Sequence, residues 1–179
     1  MIRGLLGAVS LVTGLAVLLA PAAAAMGTGD PFLDLQNGVS YTVYKPSFTA
    51  GVGLQQGGSD VTCPPGTEAN LLAVYGKRTA RQFSLHEGNP MCSDIGQGTV
   101  VFKKKVKGIM MTVEAYCDPD TNTPCAKADV RKFGGHLEAV FPGVNGLRPT
   151  TVWIETYGAK NLTARQLVRI AKSLKPANQ

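Results

Sequence analysis

Apolar positions along this chain fall into short blocks cut by glycine, proline and asparagine. A long apolar run stands at one end and a helical stripe at the other. Asp30 and Pro31 before Phe32-Leu33-Asp34-Leu35 predict a short helix with Asp30 as its N-cap, stopped at Asn37-Gly38. Val39-Ser-Tyr-Thr-Val-Tyr44 predicts a strand closed by Pro46, and Leu71-Leu-Ala-Val-Tyr75 another. Gln82-Phe-Ser-Leu-His86 alternates, as a half-exposed strand does. Thr99-Val-Val-Phe102 and Ile109 to Tyr116 flank Lys103-Lys-Lys-Val-Lys-Gly108, which predicts a β-hairpin whose tip carries Lys103, Lys104, Lys105 and Lys107. Leu137, Ala139 and Phe141 mark a further strand, and the β-branched and aromatic run Thr150 to Tyr157 the clearest one. The glycine-bearing stretch from Thr49 to Pro65 reads as one long loop.

The final element reads as a helix. Thr163 stands three residues before Gln166, the spacing of a capping box, with Leu162 and Leu167 placed for a hydrophobic staple. Leu167, Ile170, Ala171 and Leu174 then share one face, Arg165, Arg169 and Lys172 lie opposite, and Pro176 is expected to stop it. Thr163 also completes the glycosylation pattern Asn161-Leu-Thr163, but a cap already accounts for it. Strands followed by one closing helix give α+β: a mainly antiparallel sheet of about six or seven strands with a C-terminal amphipathic helix packed on it.

The N-terminal run is of another kind. Arg3, an uncharged stretch from Leu5 to Ala20, Pro21 and the alanines Ala22 to Ala25 have the order of a secretory signal peptide, with cleavage after Ala25. Residues 26–179 then form a single exported domain, and an uncleaved N-terminal anchor is the alternative. No cysteine stands at the cleavage site to take a lipid.

Cysteine usage agrees with export. Cys63, Cys92, Cys117 and Cys125 all follow the leader, and an even count outside the cytoplasm reads as two disulfides. Of three possible pairings, Cys63 with Cys92 and Cys117 with Cys125 is favoured, because the latter closes a short loop. No C-x-x-C pair is present, so zinc and redox-catalytic roles are not expected.

The chain carries a formal charge of +6. Outside a cell that excess favours anionic wall polymers or lipid head groups, with an envelope protein as a further possible partner; nucleic acid is not an expected partner. The lysine tip is the natural place for such contact, although lysines there also deter edge-to-edge pairing.

Signatures of catalysis are sparse. There is no G-x-S-x-G elbow, P-loop or H-E-x-x-H motif, and no cofactor or metal is expected. His86 sits beside Glu87, and His136 shares a strand face with Glu138, so either could serve an envelope hydrolase; the plainer expectation is two exposed strand histidines. Asp118, Asp120, Asn122 and Asp129 match part of a calcium loop, but Thr123 replaces its turn glycine and the disulfide-closed turn is the simpler reading. The chain therefore reads as a non-enzymatic exported domain, with a hydrolase or a carrier of an apolar ligand held between sheet and helix as alternatives.

Thr151-Val-Trp-Ile-Glu-Thr-Tyr-Gly and Leu162-Thr-Ala-Arg-Gln-Leu-Val-Arg-Ile-Ala-Lys-Ser-Leu174 resemble the last strand and helix of small actinobacterial envelope domains related to lipoproteins and anti-sigma-factor regulators. The alanine-rich leader has the same mycobacteria-like flavour. The resemblance implies an envelope or secreted location and a sheet-plus-helix fold. It brings no catalytic or binding residue.

Overall fold

A computed structural model describes residues 27–117 and 123–178. The leader and the centre of the Cys117–Cys125 loop, with Asp118, Asp120 and Asn122, lie outside the described residues, so the cleavage and calcium expectations do too.

The elements run α1 (Pro31–Gln36), β1 (Tyr44–Pro46), β2 (Leu54–Ser59), β3 (Leu71–Gly76), β4 (Gln82–Gly88), β5 (Thr99–Val106), β6 (Ile109–Ala115), α2 (Asp129–Phe133), β7 (Gly135–Phe141), β8 (Thr150–Thr156), α3 (Ala164–Lys172) and β9 (Leu174–Pro176). Seven strands form one antiparallel sheet in the order β2-β3-β4-β8-β7-β6-β5, and β1 pairs with β9 in a second, two-stranded sheet. The α+β, mainly antiparallel character expected from the strand pattern is what is observed.

Period-two alternation decides what each face of the large sheet holds. Leu71, Ala73 and Tyr75 of β3, Phe83 and Leu85 of β4, Met111, Val113 and Ala115 of β6, Leu137 and Ala139 of β7, and Val152 and Ile154 of β8 are all buried. The register Ala73–Leu85–Ile154–Leu137–Val113 runs this inner face straight across five strands. Phe32, Tyr41 and Val43 belong to the same hydrophobic cluster, as do Leu162, Leu167, Ile170 and Ala171 around α3. Burying one such large side chain contributes about 1.5–3 kcal/mol.

Local chemistry explains the helices. Asp30 accepts the Phe32 N–H at 3.0 Å as the α1 cap. At α3 the capping box is complete: Thr163 Oγ1 accepts the Gln166 N–H at 3.2 Å, and Gln166 Oε1 accepts the Thr163 N–H at 2.9 Å.

Three expectations need correction. The run Val39–Val43 is not a sheet strand. Its Tyr41 carbonyl and Val43 N–H are satisfied at 3.0 and 2.7 Å by the buried Gln36 side chain, which replaces a neighbouring strand. The long loop from Thr49 to Pro65 contains β2, a mostly exposed edge strand whose LeuGlnGlnGlyGlySer sequence shows no apolar alternation. Its place is set by pairing with β3 rather than by its side chains. Pro176 does not end α3: the helix closes at Ser173, and Leu174–Pro176 turns away to pair with β1. Cys117–Cys125 and Cys63–Cys92 are disulfides, as favoured, with Cα atoms 5.6 and 5.2 Å apart, but α2 directly after them is a five-residue helix that its sequence did not announce.

Candidate functional site

The predicted hairpin is β5–β6. Its two-residue turn places Lys107 at φ 48° and Gly108 at φ 86°, the left-handed pair that a tight hairpin turn requires. Lys103 lies opposite Thr112 and Lys105 opposite Met110 on the outer face, while Lys104 lies opposite Met111 on the inner side. All four lysines are exposed, and among the described residues none makes an ion pair. Beside them Met110 is 47% and Val140 is 56% exposed, so the cations border uncovered apolar surface. The basic tip is therefore a real surface feature, at one end of an edge strand.

Both histidines are buried, which corrects the expectation of exposed strand residues: His86 is 8% and His136 6% exposed. The outer face of the sheet is roofed by the connection from β4 to β5, residues 89–98. Ser93 sits over His86, a Cβ built on Gly96 would lie 3.6 Å from the Tyr116 ring, and the Gly98 N–H donates to Glu114 Oε2 at 3.0 Å. Buried Asn70 fixes the start of this strap: its Nδ2 donates to the Pro90 carbonyl at 3.1 Å, and its Oδ1 accepts the Cys92 N–H at 2.7 Å.

Two polar groups result. In the first, His86 Nε2 lies 2.9 Å from Ser84 Oγ and His86 Nδ1 2.9 Å from Ser93 Oγ; Ser93 in turn donates to Asp60 Oδ2. In the second, His136 Nε2 is 3.6 Å from Glu114 Oε2, and Tyr116 donates to Glu155 Oε1 at 2.6 Å. Burial pulls both histidines below their usual value despite the neighbouring carboxylates. Burial pushes the Asp60 carboxyl up, but hydrogen bonds from Ser93 and Thr62 outweigh it and hold the group below the usual range. Burial and the bond to Glu155 push the Tyr116 hydroxyl up.

The sequence neighbours are not the spatial partners. Glu87 is on the opposite face from His86, wholly buried in the core, where desolvation raises its pKa well above that of a free carboxyl. Glu138 shares the outer face with His136, as expected, but Glu114 is the carboxylate within ion-pair distance. Asp60, Ser93, Glu155, Glu114 and Tyr116 carry no local signature. Only the pairing of Cys63 with Cys92 hints that Asp60 and Ser93 meet, since it staples their two segments together.

Chemically, Ser84, His86 and Asp60 make a nucleophile–base–acid series in composition. Ser84 is only 1% exposed, however, so its hydroxyl meets no substrate in this conformation. Among the described residues no group of three His, Cys, Asp or Glu side chains is placed to hold a metal ion. Asp129, the expected last calcium ligand, accepts the Ala126 N–H at 2.7 Å at the start of α2. The apolar groove beside α3, lined by Phe102, Ala164 and Val168 and flanked by Lys127 and Arg165, measures about 200 Å³, below the size usual for small-molecule sites.

Two disulfides belong to an oxidising, extracytoplasmic setting, and among the described residues no helix is long and apolar enough to cross a membrane. No protein-family model matches the chain, and no curated protein or solved structure matches it.

Proposed function

We propose that this chain is a non-enzymatic, signal-peptide-exported envelope domain that adsorbs to an anionic phosphate-bearing surface through its β5–β6 hairpin. The observation that carries the reading is the exposed lysine tip bordered by Met110 and Val140. Lysines serving only as edge protection need no uncovered apolar neighbours; an interfacial contact uses both. Each basic residue held near an anionic membrane contributes about 1 kcal/mol, so four on one turn suffice for reversible, salt-sensitive binding. In this reading α3 is the inner cover of the sheet, and the rigid sheet behind the hairpin holds the cations in one place.

Co-sedimentation with vesicles containing anionic phospholipid, compared with neutral vesicles, tests it. The disulfide-bonded protein should pellet only with the anionic vesicles and be released by salt. Replacing Lys103, Lys104, Lys105 and Lys107 by Gln should abolish this without changing the melting curve. Undiminished adsorption of that variant would sink the proposal.

The second reading is a hydrolase, favoured by the Ser84–His86–Ser93–Asp60 hydrogen-bonded series. It needs residues 89–98 to lift from the sheet. His86→Ala would then remove activity on envelope esters or glycans while leaving vesicle binding intact.

A further inference from the structure

The end of the sheet opposite the lysine turn carries a second basic feature. There Arg81, Arg131 and Lys160 border one open cavity of about 520 Å³, which Ala159, Asn161, Thr163 and Gln166 complete. Three separate stretches supply the cations: Arg81 precedes β4, Arg131 belongs to α2, and Lys160 lies ahead of α3. The fold holds these stretches together. The Lys160 N–H donates to the Ala80 carbonyl at 3.1 Å, and residues 81 and 160 form a parallel bridge. Arg81 Nη1 donates to the Ala50 carbonyl at 3.1 Å, which fixes its guanidinium and leaves its other N–H groups available. The fully buried Val130 anchors α2 next to Arg131.

Among the described residues no carboxylate lines the cavity, and none lies within ion-pair distance of these three cations. Thr163 and Gln166 are already engaged with each other in the capping box, so the site rests on the side-chain cations and not on the helix end. Asn161 lines the same cavity.

We propose that this cavity binds the phosphomonoester end of a small molecule. Three like charges gathered without a counter-charge repel one another, and an anion among them removes that repulsion. A carboxylate brings one negative charge, whereas a phosphomonoester brings close to two, and its oxygens accept the paired N–H groups of a guanidinium. The volume lies within the range of small-molecule sites and leaves room for more than the phosphate itself.

Titration of the ¹⁵N-labelled, disulfide-bonded protein with inorganic phosphate, glycerol phosphate and acetate, following the Asn161 and Thr163 amide resonances, tests the proposal. Saturable shifts with both phosphates, tighter for the ester and absent for acetate, are expected. Arg131→Gln and Lys160→Gln should each weaken binding about tenfold, as loss of one charge-assisted contact does. The four-lysine hairpin variant should bind unchanged, which keeps this site separate from the adsorbing surface. The wild-type titration decides even if Arg131→Gln fails to fold, and Lys160 is exposed enough for its variant to keep the fold. Four results would each overturn the proposal: no saturation at millimolar phosphate, an equal response to acetate, tighter binding of free phosphate than of the ester, or full affinity in both variants.

Discussion

The backbone N–H of Tyr44 donates to Glu87 Oε2 at 2.7 Å, joining β1 to the centre of the large sheet through a carboxyl group that is wholly out of water. The other carboxyl oxygen has no hydrogen-bond partner among the described residues. Among the described residues no cation lies within ion-pair distance of it, so burial raises the pH at which the native state gives up this proton.

The sign of the consequence is fixed. The unfolded chain releases this proton near the ordinary value of 4.5, while the folded chain holds it well above. Glu87 therefore contributes full stability below the unfolded value and subtracts progressively as pH rises toward the folded one. Glu87→Gln keeps an acceptor for Tyr44 and removes the titration. Denaturant unfolding across the neutral range should find this variant more stable than wild type above the carboxyl range, with the difference growing with pH. A constant difference at every pH would show that Glu87 does not titrate as stated.

The histidines act on the acid side. His86 faces Asp60, Ser84, Ser93 and Glu155; His136 faces Glu114, Glu138, Glu155 and Tyr116. Both folded values lie below the unfolded 6.5, so the unfolded chain takes up protons first and stability declines as pH falls below 6.5. Asp60, held low by its hydrogen bonds, adds its own loss at still lower pH. His136→Gln should flatten the loss below pH 6.5, by about 1.4 kcal/mol for each pH unit by which the folded midpoint lies under the unfolded one. Proton NMR titration of the two imidazoles should place both midpoints below 6.5; a midpoint above it for either ring refutes the burial argument for that ring.

Removing the Cys63–Cys92 bridge tests the architecture of the polar face. Double replacement by serine should cost about 2–5 kcal/mol. Because the bridge holds Asp60 and Ser93 over His86, the same variant should move the His86 midpoint toward its ordinary value and leave that of His136 in place. Movement of both by the same amount would mean that the strap comes off the sheet as one piece.

What the residues announce and what they conceal follows the range of the interaction. The α3 cap and apolar stripe, the Lys107-Gly108 turn and the alternation of β6 and β8 are local, and each is written within about ten positions. β2 is not legible, because Gln55, Gln56, Gly57 and Gly58 contribute pairing but no apolar face. Glu87 reads only as the sequence neighbour of His86 until the register places it opposite Leu71 on the inner side. The burial of the histidines is set by residues 89–98 crossing from β4 to β5 over three intervening strands, a topological fact with no mark in the strands themselves. The cationic cavity is assembled from three distant stretches and is equally silent in the sequence.

The pairing of β1 with β9 bears on the order in which the molecule is made. Lys45 sits opposite Lys175, and the Ala177 N–H reaches back to the Val43 carbonyl at 2.8 Å. During synthesis β1 waits with an unanswered backbone edge until residues 174–177 have emerged. Loss of residues 174–178 would leave all seven strands of the large sheet in place and β1 without its partner. Residues 174–177 are thus a latch, and quality control that recognises unpaired strands would tell a copy that carries them from one that stops short of them.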